Sequence, residues 1–192
     1  LPPGAFSGKT LLAAGSGLLC YIDKMLLFVM RHGIAEDQSA SGVDGDRALT
    51  LDGRHGVRRV AHALKTFGEV PVRIVSSPLV RALQTAELTA AALDRPDAVA
   101  IARELALGGR TAKIARSVVL AADTNVMLVG HEPDLGDFVS ELAGPILSEG
   151  FLKAMVVGFM VRPDAAHPRG YTASPAFVLH PKTLGIRTEF DT

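Results

Sequence analysis

Short apolar runs that stop abruptly at glycine constrain this chain more than any other feature. Leu26–Met30 is apolar throughout and breaks at Arg31-His32-Gly33; Val126–Val129 does the same at Gly130-His131. Runs this short, with glycine stops, suit strands buried on both faces rather than helices. Such a strand needs a helical layer on each side of its sheet. The sequence between the runs supplies those helices. Over Asp52 to Phe67, Val57, Val60, Ala61, Leu64 and Phe67 recur at helical spacing, with Arg54, Arg58, Arg59 and Lys65 between them. Thr50 is placed to cap that helix and Gly68 to end it. Ile74 and Val75 mark a second strand. Ser77-Pro78 then reads as N-cap and first position of a helix whose apolar face is Leu79, Leu83, Ala86, Ala90 and Leu93. Val99–Ile101 is a third strand, and 111–122 and 134–142 are helical. Met155–Val161 and Phe177–His180 are later strands joined by a loop over 162–175, and 34–49 is a polar, glycine-containing loop. Strands alternating with helices predict an α/β three-layer sandwich with a mostly parallel central sheet.

Composition narrows the functional classes. The 192 residues carry 20 basic and 20 acidic side chains, a balance that argues against a dedicated nucleic-acid binder. Hydrophobic residues at 48% and charged residues at 21% describe a globular chain, not a disordered one. Cys20 is the single cysteine, so neither an internal disulfide nor a multi-cysteine metal site is available; this fits the reducing cytoplasm. Leu11 to Ile22 is uncharged but shorter than the roughly 20 residues that span a bilayer, so no membrane partner is expected. Residues 1–24 read as an extension outside the folded domain, with an export signal or a docked structural arm as the alternatives, and 25–192 as one domain.

The chemistry concentrates where strands end. In open α/β sheets, ligands bind beyond the carboxyl ends of the strands. One such end carries Arg31 and His32, a second leads through Ser76 and Ser77 toward Arg81, and a third carries His131. Two imidazoles and two guanidiniums would then meet in a cationic hole with no carboxylate at its floor. Guanidinium forks match phosphate oxygens, and the helix behind Ser77 adds the positive end of its dipole. Gly33 would let the backbone approach the anion. A neutral imidazole can attack phosphorus, and a second, if protonated, can stabilise charge on the equatorial oxygens. His55, His62, His167 and His180 fall at none of these three strand ends and read as surface or packing residues. No ligand-spaced histidine pair is present, so neither metal nor cofactor is expected.

Three segments taken together resemble the histidine phosphatase superfamily, whose fold is that of the phosphoglycerate mutases. They are the strand into Arg31-His32-Gly33, the stretch Ser76-Ser77-Pro78-Leu79-Val80-Arg81-Ala82-Leu83-Gln84-Thr85-Ala86, and Val129-Gly130-His131 followed by Glu132-Pro133. Leu49-Thr50-Leu51-Asp52-Gly53 matches a further L-T-x-x-G segment. Fifty residues separate Arg81 from His131, which leaves little for a lid and resembles the small phosphohistidine phosphatases of the SixA type. The resemblance implies His32 as the nucleophile that is transiently phosphorylated, and Arg31, Arg81 and His131, with Gly33, as the phosphate pocket. It implies Glu104 as general acid by position, with Glu36 as the alternative. The implied partner is a protein bearing phosphohistidine, or else a small phosphate ester, with phosphate as product and no metal. The alternative activity is a broad phosphomonoesterase. A non-catalytic phosphoprotein binder is disfavoured by the intact set of four.

Overall fold

A computed structural model describes residues 25–121 and 124–190; the expectation for residues 1–24 lies outside them. The first apolar run forms β1 (Met25–Arg31). Its side chains divide by parity: Met25, Leu27 and Val29 enter one core, while Leu26, Phe28 and Met30 enter another. This is the period-2 alternation of a strand covered on both faces.

Thr50 accepts the Gly53 N–H at 3.0 Å and starts α1 (Leu51–Phe67), which ends at Gly68 with φ 89°. Next come β2 (Arg73–Ser76), α2 (Val80–Ala92), β3 (Val99–Ile101), α3 (Thr111–Ala121), β4 (Val126–Gly130) and α4 (Asp134–Ala143). The chain then enters β5 (Val156–Pro163), β6 (Tyr171–Leu179) and the short β7 (Ile186–Arg187). Among the described residues the strand order is β3-β2-β4-β1-β5-β6-β7. The first four run parallel and the last three add antiparallel. Val57, Val60 and Leu64 of α1 and Ala82, Ala86 and Ala90 of α2 cover one face of the sheet. Ala115, Val118 and Val119 of α3 and Leu135, Phe138 and Val139 of α4 cover the other. The three layers expected from the sequence are therefore present. No described helix is long and apolar enough to cross a membrane.

Three local expectations are corrected. The loop expected over 162–175 is largely hairpin: β5 and β6 pair from Pro163↔Tyr171 inward, with a register irregularity at Gly158/Phe159 that admits Pro175. Ser77 does not cap α2. The helix begins at Val80, after Leu79, without a side-chain cap; the Ser77 hydroxyl accepts the Leu79 N–H at 3.3 Å, ahead of the helix, and also pairs with His131. The buried face of α2 includes Arg81, Thr85 and Thr89 beside its alanines, while Leu83 is only half-buried.

Candidate active site

Pairing in the parallel half brings three strand ends side by side. Arg31 of β1 stands opposite Gly130 of β4, and the His32 N–H donates to the Gly130 carbonyl at 3.1 Å. Ser76 of β2 stands opposite Val129, and the Ser77 N–H donates to the Val129 carbonyl at 2.9 Å. The residues leaving these strands are thus forced onto one rim. The His32 and His131 rings lie 5.0 Å apart, centroid to centroid, and both are buried.

Each side chain on the rim is held by a specific contact. The His32 Nδ1–H donates to the Gly33 carbonyl at 2.7 Å, a bond that leaves the lone pair on Nε2. His131 Nε2 pairs with the Ser77 hydroxyl at 2.8 Å, and its buried Nδ1 has no partner among the described residues. The Arg31 Nη1 donates to the Phe151 carbonyl at 2.7 Å. Arg81, only 2% exposed, donates to the Asp44 carbonyl at 2.8 Å and to the Asp44 carboxylate at 3.0 Å.

Asp44 corrects the expectation of a site without carboxylates. A guanidinium buried this deeply is costly without an anionic partner, and the loop over 34–49 supplies one. Asp44 also pairs with Arg47 at 2.8 Å. Desolvation pushes the Asp44 carboxyl up, but the Arg81 hydrogen bond and charge, with Arg47, outweigh it and hold the carboxyl below its usual range. Glu132 adds a second negative charge that acts on Arg31, opposing the lowering that burial imposes on that guanidinium.

Both imidazoles are neutral at pH 7 in this site. Burial, helped by the charges of Arg81, Arg31 and Lys153, pushes His32 down to about 4 despite its bond to Gly33. Burial, with the charges of His32 and Arg81, pushes His131 down to about 3. The sequence leaves the protonation of the second imidazole conditional; the burial of His131 favours its neutral form. The unfolded chain takes up these protons near 6.5, well before the native chain does. The unfolded state thus binds more protons over that interval, so stability is fully present above about pH 6.5 and falls as pH drops through 4 and 3. The urea midpoint is expected to fall between pH 7 and pH 4.5, and to fall less steeply for His131→Asn. Equal slopes for the two proteins would contradict the assignment.

The neighbouring motif residues turn out to fix the rim. Thr85 donates from its hydroxyl to the Arg81 carbonyl at 2.7 Å and accepts the Gly33 N–H at 3.0 Å. It therefore couples the two motifs. The Gln84 side-chain oxygen accepts the Leu49 N–H at 2.7 Å. Gly33 is required by packing: a Cβ there would lie 2.8 Å from Val57 Cγ2. Its N–H is held by the Thr85 hydroxyl. Glu104 is half-buried in a 3₁₀ turn, Arg103–Leu105, after β3, and its carbonyl accepts the Arg110 N–H. Glu36 is exposed, and its backbone is tied to Ala48 and Arg47. Among the described residues neither carboxylate makes a hydrogen bond or ion pair with the four rim residues.

Two guanidiniums and two buried imidazoles at the carboxyl rim of a parallel sheet define an α/β protein able to grip a tetrahedral oxyanion beside a nitrogen nucleophile. The sequence profile of the histidine phosphatase superfamily (branch 1) matches residues 27–131, and the chain belongs to that superfamily. It is 38% identical to an uncharacterised protein of Picosynechococcus sp. (strain PCC 7002) over 168 residues, 83% of this chain and 99% of the other. It is 35% identical to the phosphohistidine phosphatase SixA of Escherichia coli K12 over 123 residues, 62% of this chain and 74% of that one. The solved structure of SixA complexed with tungstate aligns with a TM-score of 0.72 at 25% identity, covering 84% of this chain and 100% of that one. A mycobacterial glucosyl-3-phosphoglycerate phosphatase shares the fold, with a TM-score of 0.58 at 19% identity over 79% of this chain and 96% of its own.

Proposed function

We propose that the chain is a phosphohistidine phosphatase acting on protein substrates through a covalent phosphohistidine at His32. The carrying observation is the Nδ1–H bond from His32 to the Gly33 carbonyl, which leaves a neutral Nε2 as the nucleophile. The similarity to SixA of Escherichia coli supports the same substrate class. In the proposed cycle, Arg31, Arg81 and His131 hold the phosphoryl oxygens, and the exposed Asp44 carboxylate yields its place on Arg81 to the incoming group. Nε2 of His32 attacks phosphorus in line as the bond to the substrate ring nitrogen breaks; that nitrogen keeps the bonding pair, and the substrate imidazole leaves neutral because its other ring nitrogen already carries a proton. Water then attacks the phosphorus on His32, releasing phosphate and restoring the imidazole.

An imidazole protonated on its other nitrogen is a better leaving group than an alkoxide, so the first step makes little demand on an acid. Glu104 is the candidate acid for esters, with Glu36 the alternative. The rim's own cations supply the charge stabilisation that Mg²⁺ gives other phosphoryl transfer enzymes. The fifty residues from Arg81 to His131 are spent on the rest of α2, on β3, α3 and β4 and on two short 3₁₀ turns, with no inserted lid among the described residues, so a side chain on a protein surface can reach the pocket.

The test compares kcat/KM for a phosphohistidine protein with values for sugar phosphates and p-nitrophenyl phosphate, each with and without EDTA. The reading requires the phosphohistidine protein to be preferred and EDTA to leave turnover intact. Faster turnover of the esters points to the broad phosphomonoesterase instead, and a strict divalent-metal requirement overturns the scheme.

A further inference from the structure

Beside the rim lies a groove of which the proposed chemistry uses only Arg31. It is an open cavity of about 780 Å³ between the first turns of α1, the segment 152–154 and the Pro181-Lys182 turn, and it reaches Arg31. Its wall is tied to the nucleophile: the Ala154 N–H donates to the carbonyls of both Arg31 and His32 at 3.1 Å. The Lys153 charge is also felt at the His32 ring. The groove therefore begins where the substrate's phosphoryl group would sit.

Its charge is one-sided on a chain whose net charge is zero. Arg31, Arg59, Lys153 and Lys182 line it against a single acid, Asp52. Among the described residues none of the four cations has a carboxylate within ion-pair distance; Arg59 donates instead to the Lys182 carbonyl at 3.3 Å. Lack of an ion pair is shared by other surface cations, such as Arg54, Arg58 and Arg116, since among the described lysines and arginines only Arg47, Lys65, Arg81 and Arg169 have one; what marks the groove is the gathering of four cations against one acid on a single wall. The groove also contains apolar surface, with Ile34 47% exposed at its edge and Leu152 and Pro181 beside it. Unpaired cations around an apolar strip complement a surface that carries carboxylates around an apolar side chain.

We infer that this groove is a docking site for an acidic segment of the phosphoprotein substrate, so that the enzyme selects phosphohistidines flanked by carboxylates. The inference rests on the proposed phosphohistidine activity and adds to it a rule of substrate choice. Arg59, Lys153 and Lys182 are all exposed, so they act by steering and by rim contacts that salt screens. A bare phosphate ester is too small to engage them from the rim.

The experiment uses the full chain and two synthetic phosphohistidine peptides of equal length, one with glutamates flanking the phosphohistidine and one with glutamines there. The readout is the ratio of their kcat/KM values at low salt and in 0.5 M NaCl. The expected ratio is about tenfold in favour of the acidic peptide at low salt, collapsing toward unity at high salt. Arg59→Glu/Lys182→Glu is expected to abolish or invert the preference; being a ratio within one protein, this reading does not depend on the variant's active fraction. Equal turnover of the two peptides by the unaltered chain, or a preference that survives the double charge reversal, overturns the docking site and leaves the phosphohistidine activity standing. Hydrolysis of neither peptide, with phosphate esters still turned over, overturns both.

Discussion

Replacing His32 with alanine is expected to lower kcat by about 10⁴-fold or more, a loss of the size that follows removal of a covalent nucleophile. The fold should survive the change. Among the described residues the His32 side chain bonds only to the carbonyl of its own neighbour and packs against His131, and its backbone N–H bond to Gly130 does not depend on the side chain. The variant also removes a group whose protonation is opposed by burial, so its stability should depend less on pH. The unfolding temperature is expected to stay within about 4 °C of the parent at pH 7, which corresponds to roughly 1 kcal/mol for a chain of this size. The chemical step can be followed directly: rapid quench of the unaltered protein with a ³²P-labelled substrate should place acid-labile, base-stable label on the peptide containing His32, and none on the variant. A variant retaining more than a tenth of parental kcat would remove His32 as nucleophile. So would label recovered on the peptide carrying His131.

The parts of this site that could be read in the chain, and the parts that could not, divide along a physical line. Local rules sufficed for β1, for α1 with its Thr50 cap and Gly68 stop, and for the glycine-stopped end of β4. Parallel pairing then placed His32, Ser77 and His131 on one rim. Wherever a tertiary partner overrode a local preference, the sequence misled. Ser77 has every local qualification for a cap, but its hydroxyl is shared between His131 and the Leu79 N–H, and the helix starts only at Val80. Arg81, Thr85 and Thr89 interrupt the apolar pattern of α2 and are buried all the same. Arg81 finds Asp44, and Thr85 finds Gly33 N–H and the Arg81 carbonyl. The β5–β6 hairpin was hidden because Gly158 and Pro175 break its alternation. Asp44 gave no local signal. It follows only from asking what neutralises a guanidinium removed from water, a question that has no force until Arg81 is known to be buried.

Gly53→Ala tests how strictly the first turn of α1 holds the nucleophile's loop, and it should be severely damaging for a single added methyl group. By helix propensity alone, alanine should be better than glycine inside a helix by about 1 kcal/mol. The surroundings reverse that sign. A Cβ at Gly53 would lie 2.0 Å from the Ile34 carbonyl oxygen, 2.9 Å from its carbon and 3.1 Å from its nitrogen. All three are backbone atoms, so no side chain can rotate away, and either the helix start or the loop at residues 33–34 must move. That loop is pinned on the other side. The Ile34 carbonyl accepts the Thr50 N–H at 3.0 Å and the Gly33 N–H is held by Thr85. Relief of the clash therefore strains the capped turn or displaces His32. The expected result is a destabilisation of about 3 kcal/mol, in the range of severe overpacking. The accompanying fall in kcat/KM is about 10²-fold, the scale set by a misplacement of roughly 1 Å at a reacting group. Gly56 supplies the internal control. It lies one turn further along the same helix, and a Cβ there would meet nothing within 4 Å, so Gly56→Ala should be neutral or stabilising by up to about 1 kcal/mol. Urea midpoints that coincide for the two alanine variants would mean that the close approach of Gly53 to Ile34 is not what holds His32 in place.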